Sequence, residues 1–330
     1  MPRSVNFDDW FLPDNKQNEV YAGVELELLL FDAINKEPLQ SESKVEQILH
    51  EGDIPYNIYK DFYPHQLEIR TSPSNNPSKI LKETLELYKI ASEKFSKHKI
   101  YIIPAPAICT DGFMYCGMHI HLSYPECKRN SYFKKAMGIY PFALSLADHT
   151  KNIESGHYDN SLRMKESPHI GLPYLKSDDF FQGNEESLKY KDVIFSPRVD
   201  DGNRSHMGKP STIEFRLFDT PSLVSHYELI LKYMMGVASR IKDKNPIVKD
   251  LTDSYQQTRN SLINTRDYVV RQRYAVNKIF MMLNSDVCED VCDHIGVKFP
   301  RETQFEFREK KKYSADVNGF ISMAIEGGWL

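Results

Sequence analysis

Tyr115-Cys116-Gly117-Met118-His119-Ile120-His121-Leu122-Ser123-Tyr124 alternates polar and apolar residues, the period of a half-buried strand. His119, His121 and Ser123 share one face, while Met118, Ile120 and Leu122 share the other. An aliphatic back and an imidazole front suit a sheet that packs on one side and does chemistry on the other. A single buried histidine is more often a satisfied core group than a ligand, so the case depends on what accompanies it.

Three more segments repeat the design with carboxylates. Between Glu19 and Phe31, Glu25 and Glu27 fall on one face, with Val24, Leu26 and Leu28 behind. Leu29, Leu30 and Phe31 continue that segment without a polar face, which argues against a solvent-facing edge strand. Two carboxylates about 7 Å apart on such a strand are costly to bury without a cation between them. His65 to Thr71 places Glu68 and Arg70 on one face and ends at Ser72-Pro73, a turn signal. Ser211 to Asp219 places Glu214 and Arg216 together, with Ile213, Phe215 and Leu217 behind. Each Glu–Arg pair alone would read as an ordinary salt bridge, worth little when exposed. Four strands with the same one-sided polarity would then be four separate coincidences.

The remaining sequence supplies helices and one irregular stretch. Residues Pro77 to His98 carry apolar positions at helical spacing with charges opposite. A short amphipathic helix is expected from Lys44 to Gly52, and a proline-interrupted edge strand from Lys99 to Pro106. Phe133 to Thr150, Leu223 to Asp243, Thr258 to Asn284 and Val287 to His294 also read as helical. Lys151 to Lys209 is polar, rich in Pro, Gly and Asp, and aperiodic, so it reads as a long functional loop. Its Arg163, Arg198 and Arg204 suit it to fold over an anion. The organisation is one catalytic domain over residues 1–330, with a loop-rich insertion at about 151–209 and a helical part from about 222.

A chain of 330 residues can bury a substantial core. Its net charge of −4 gives no basic surface for nucleic acid. No apolar run approaches the ~20 residues of a membrane span, and the polar, acidic start does not resemble a signal peptide. Five cysteines without regular spacing fit a reducing compartment better than a disulfide framework. The expectation is a soluble cytoplasmic protein acting on small molecules. A homo-oligomer is compatible with the sequence but not required by it. No GxSxG elbow occurs, and Cys116 lies on the face opposite the histidines, so a Ser or Cys nucleophile is poorly supported.

Several carboxylates with one imidazole suit a hard divalent cation, Mg²⁺ or Mn²⁺, more than structural zinc. Magnesium held by protein carboxylates commonly also grips substrate phosphates, and neighbouring arginines supply charge for a transferring phosphoryl group. Phosphoryl chemistry on a sheet face is the physical inference.

GVELE around Glu25 and Glu27, QLEIRTSP around Glu68, CGMHIHLS around His119 and TIEFRLFD around Glu214 resemble, in order and spacing, motifs of the glutamate–cysteine ligase type 2 family. Those are carboxylate–amine ligases related to glutamine synthetase, and the resemblance runs roughly from residue 20 to 275. It implies an α+β fold in which a curved, mainly antiparallel sheet forms a funnel with helices outside. It also implies ATP and Mg²⁺ (or Mn²⁺) as cofactors, and small-molecule carboxylate and amine substrates. Glu25, Glu27, Glu68, His119 and Glu214 match metal-binding positions, and Arg216 matches the arginine on the transferred phosphate. Arg216, Glu214 and Glu68 are therefore the catalytic candidates.

His121, Arg70, Arg163, Arg198, Arg204 and Arg273 are candidates for substrate or ATP contact. Arg273 rests on a likeness of RQRYAV at 271–276 to a helical arginine motif, with Ala275 where a glycine is expected. Arg70 departs from the pattern, since relatives more often carry a small or apolar residue there. It either pairs with Glu68 or binds a substrate carboxylate. A phosphotransferase of the same fold, a metallohydrolase built on the histidine pair, and a non-catalytic binding protein that keeps the funnel are the rival readings.

Overall fold

β1 (Tyr21–Asp32) is the axis of the molecule, and all twelve of its residues are buried. The structure is a computed structural model that describes residues 20–51, 54–109, 113–123, 139–140, 143, 163, 193–196, 212–241, 322 and 324–330. β1 pairs antiparallel with β4 (Gln66–Arg70) along one edge and with β8 (Gly117–Ser123) along the other. β3 (Ile58–Lys60) lies outside β4, and β10 (Thr212–Asp219) followed by β9 (Val193–Ser196) lies outside β8. The order β3-β4-β1-β8-β10-β9 is an open antiparallel sheet; β2 (Glu37–Pro38) and β5 (Ile100–Ile103) complete it by pairing with the end of β1. β6 (Ala107–Cys109) and β7 (Phe113–Tyr115) form a separate two-stranded ladder.

Register decides which side chains meet. Leu26 of β1 lies between Ile69 of β4 and Met118 of β8, while Glu25 lies between Arg70 and His119. A slip of one residue would drive every charged group into the core, so the aliphatic face fixes the polar one.

The aliphatic face is covered by helices. α2 (Pro77–Ser96) starts at Asn76, whose side chain accepts from the Ser78 N–H, with Pro77 preset for the first turn. Its Ile80, Tyr88 and Phe95 share one cluster with Leu26, Ile120 and Phe215 of the sheet and with Ile230 and Met234 of α3 (Val224–Ile241). Tyr227 OH lies 2.7 Å from Thr84 Oγ1, whose own proton goes to the Ile80 carbonyl at 2.9 Å. Tyr227 therefore donates, and the bond ties α3 to α2. Trp329 packs on Tyr88 and Tyr227, and its Nε1–H donates to the Ser222 carbonyl at 3.1 Å. α1 (Glu42–His50) is capped by the Ser41 hydroxyl and buries Val45 and Ile48.

Two features differ from the expectations. β9 falls within the stretch expected to be loop; its Val193-Ile194-Phe195-Ser196 run is too short to show a period, and it becomes a strand because β10 offers it a free edge. In β10 the register shifts by one residue between Phe215 and Phe218. Leu217 and Phe218 are both fully buried, and Phe218 rather than Leu217 lies opposite Met118. Such a bulge re-aims neighbouring side chains, and here it lies beside Arg216. The segments 144–150, 258–284 and 287–294 and the candidates Arg198, Arg204 and Arg273 lie outside the described residues, as does most of 151–209. Among the described residues no helix is long and apolar enough to cross a membrane.

Candidate active site

The polar face of the sheet is built from three cross-strand rows. Arg70, Glu25 and His119 stand side by side across β4, β1 and β8. Tyr59, Glu68 and Glu27 do the same across β3, β4 and β1. Gly23, His121 and Glu214 form the third row across β1, β8 and β10. Neighbours in such rows have Cβ atoms about 5 Å apart, so eight side chains from five strands meet without any loop.

Contacts within the face are dense. His119 Nδ1 lies 3.4 Å from Glu25 Oε2 and 3.5 Å from Glu214 Oε1. Its Nε2 lies 3.3 Å from Glu27 Oε1 and 3.2 Å from Nη2 of Arg163. Glu27 also accepts from the Gly117 N–H at 2.6 Å, and Thr220 Oγ1 donates to the Glu27 carbonyl at 2.7 Å. Arg70 Nε pairs with Glu68 and lies 3.3 Å from Glu25 Oε1, while its guanidinium covers the Tyr59 ring at 4.7 Å. Arg216 Nη1 donates to Glu214 Oε1 at 3.0 Å, and its buried Nε has no partner. His121 Nδ1 meets Thr212 Oγ1 at 3.1 Å, and its buried Nε2 has no hydrogen-bond partner.

Thus Glu25, Glu27, Glu68, Arg70, His119, His121, Arg163, Glu214 and Arg216 come together as one site. Arg70 takes the first of the two roles open to it, pairing with Glu68 and with Glu25 as well. Arg163 is nine-tenths buried, with its guanidinium against His119 and two backbone carbonyls.

One functional residue escaped the sequence reading. Asp61 follows β3, and its carboxylate converges with those of Glu27 and Glu68 so that the three ligand atoms lie within 4.8 Å of one another. Tyr59 and Asp61 have the same two-residue spacing as the other pairs, but a three-residue strand is too short to reveal it.

The electrostatics are unbalanced. Five carboxylates (Glu25, Glu27, Asp61, Glu68, Glu214) face three guanidiniums (Arg70, Arg163, Arg216) and two imidazoles. Burial pushes the Glu25 carboxyl up, but the His121 and His119 rings and Arg70 more than reverse this and hold it well below its usual range. Burial acts the same way on Glu214 and is overcome by Arg216 and His121, leaving that carboxyl lowered. Glu68 goes the other way. Burial and the Glu25 charge lift its carboxyl well above the ordinary value, and Arg70 alone does not compensate. Asp61 is raised by burial and by Glu27. Burial, Glu27 and Asp61 push the Cys116 thiol well up, which disfavours the thiolate.

A site with this excess of carboxylate fits a hard divalent cation. Two sets of ligand atoms meet that chemistry: Glu25, His121 and Glu214, and Glu27, Asp61 and Glu68. The partnerless Nε2 of His121 is an independent sign of fit, since buried nitrogens normally find a partner.

An open antiparallel sheet bearing a carboxylate–imidazole–guanidinium face on a helix-backed core defines the structural class. No family model and no curated protein matches the chain. Solved structures do. A bifunctional glutathione synthetase from Pasteurella multocida superposes with a TM-score of 0.57 at 13% identity, covering 85% of this chain and 46% of its own. The chain thus spans about half the length of that relative. A glutamate–cysteine ligase from Francisella tularensis, solved in complex with AMP, has a TM-score of 0.53 at 13% identity, covering 95% of this chain and 93% of its own. The chain shares its fold with these ligases.

Proposed function

We propose that this chain is an ATP- and Mg²⁺-dependent carboxylate–amine ligase resembling the glutamate–cysteine ligase type 2 family, and that it joins an amino-acid-like carboxylate to an amine. The observation that carries the proposal is the pair of ligand sets on one sheet face with Arg216 beside them. A hydrolase built on two histidines would need no second, all-carboxylate set.

In this reading a carboxylate oxygen of the substrate attacks the γ-phosphorus of ATP. The new O–P bond forms as the bond from phosphorus to the β,γ-bridging oxygen breaks, and ADP leaves. The amine nitrogen then attacks the acyl carbon; the C–N bond forms, the C–O bond to phosphate breaks, and the nitrogen loses a proton. Glu25, Glu214 and one imidazole of the His119–His121 pair hold one cation, and Glu27, Asp61 and Glu68 hold another. Cations there offset the charge of two anions that must come within bonding distance. Arg216 offers Nη and Nε hydrogens to the transferring phosphoryl oxygens, which explains why a buried Nε stands free. Arg70 serves as the counter-ion of Glu25 and Glu68, and Arg198, Arg204 and Arg273 supply the anion-binding set.

The test is ADP release coupled to product formation in Glu27→Gln and Glu214→Gln. Each variant should keep the fold and lose coupled turnover by about 10³-fold. Unchanged turnover in both would remove the proposal.

A further inference from the structure

We infer that Arg163 is a positioning residue for Arg216: its guanidinium, seated on Gly117, locks the bulge in β10 that aims the Arg216 side chain. The inference rests on the proposed function, in that it takes Arg216 to meet the transferring phosphoryl group.

The bulge creates the need. Phe215 lies opposite Ile120 and Phe218 opposite Met118, so Arg216 and Leu217 together face the single residue His119. A residue inserted in this way drops out of the ladder, and its backbone groups must find other partners. Arg163 Nη1 supplies a donor, reaching the Arg216 carbonyl at 2.5 Å and the Phe218 carbonyl at 3.3 Å. Two carbonyls on either side of Leu217 therefore turn toward one nitrogen. That fixes the peptide plane directly after Arg216, and with it the direction in which the side chain leaves the strand.

Arg216 needs such help. Its Nη1 pairs with Glu214 at 3.0 Å, but its buried Nε has no partner, so the stem has no anchor of its own. Further along, the Thr220 N–H donates to the Cys116 carbonyl at 3.1 Å and its hydroxyl to the Glu27 carbonyl at 2.7 Å. The chain is thus pinned beyond the bulge, and Arg163 takes up the slack between Phe215 and that pin.

The seat suits a planar cation. Arg163 is 5% exposed, and a Cβ on Gly117 would come within 2.5 Å of Nη2 and 2.6 Å of Cζ. Glycine at 117 is what lets a guanidinium lie this close to β8. From that seat Nη2 also reaches His119 Nε2 at 3.2 Å. Buried and engaged at both terminal nitrogens, Arg163 acts on the phosphoryl group through Arg216 and does not touch it. A lysine carries one nitrogen and cannot fill both places at once.

The experiment is a double-mutant cycle on coupled ADP release, with Arg163→Lys and Arg216→Lys made singly and together. Arg163→Lys should lower kcat about 10²-fold and move the KM for ATP by less than about threefold. In the Arg216→Lys background the same change should cost less than about threefold, because the group it aims is already gone. Losses that multiply, a raised KM with kcat unchanged, or unchanged kinetics would each overturn the inference. Crystal structures of Arg163→Met and of Gly117→Ala decide independently of activity. In both, Phe218 should slip from its place opposite Met118 or Arg216 should leave Glu214. An unchanged bulge with Arg216 still on Glu214 overturns the inference and leaves the proposed function standing. Should the unmodified chain release no ADP with any carboxylate, the proposed function falls, and the two crystal structures alone judge the lock on the bulge.

Discussion

Arg70→Met removes the guanidinium that bridges Glu25 and Glu68 while keeping most of the aliphatic stem. At 3.3 Å, the Nε–Glu25 pair carries ~5 kcal/mol of raw attraction at an effective dielectric of about 20. Desolvation of the charges offsets most of that, and Arg70 is 31% exposed, so screening removes a further share. Contact with the Tyr59 ring contributes ~0.5 kcal/mol. The variant leaves Glu25 and Glu68 without the guanidinium paired with them, so the metal-free chain should lose about 2 kcal/mol of stability in urea. Mn²⁺ should respond in the opposite sense. Freed from Arg70, Glu25 and Glu68 should each bind the ion of their own set roughly tenfold more tightly, which corresponds to about 1.4 kcal/mol. Saturating Mn²⁺ should therefore restore much of the lost stability. Stability within about 0.5 kcal/mol of the unmodified chain, together with unchanged Mn²⁺ affinity, would refute Arg70 as an internal counter-ion.

Two further outcomes follow from named groups. The Glu68 carboxyl, raised by burial and Glu25 above its ordinary 4.5, binds its proton more tightly folded than unfolded; metal-free stability should fall as pH rises from that value through the folded one, by up to ~1.4 kcal/mol per unit. Glu68→Gln should flatten that fall, and a slope identical to the unmodified chain would contradict it. Glu25 and Glu214, both lowered, contribute stability above the ordinary carboxylate value that is lost in acid, so their effect has the opposite sign. Tyr227→Phe removes the donor to Thr84 and should cost about 1 kcal/mol without altering Mn²⁺ binding; a changed metal affinity would place the helix pair under the control of the site.

Period-2 alternation exposed the site because its chemistry rides on strands whose backs are aliphatic. Glu25, His119 and Glu214 were legible for that reason: Val24, Ile120 and Phe215 fix which way they point. The same logic fails where strands are short. β3 has three residues and β9 four, so neither Asp61 nor the pairing of Phe195 with Ile213 carries a sequence signal. The bulge after Phe215 is equally silent, because Arg216-Leu217-Phe218 is compatible with either register until Met118 and His119 are placed opposite. Arg163 shows the limit most clearly. Its sequence surroundings read as an anion-binding loop, and only the gap left by Gly117 reveals where a guanidinium sits.

The central claim is an acyl phosphate captured by an amine, and hydroxylamine trapping tests it most directly. With ATP, Mg²⁺ and amino-acid carboxylates, the full chain should yield hydroxamate and ADP in equal amounts, and Glu214→Gln should yield neither. ADP accompanied by a phosphorylated product that resists hydroxylamine, or no ADP above background with any carboxylate while Mn²⁺·ATP binds, would contradict it.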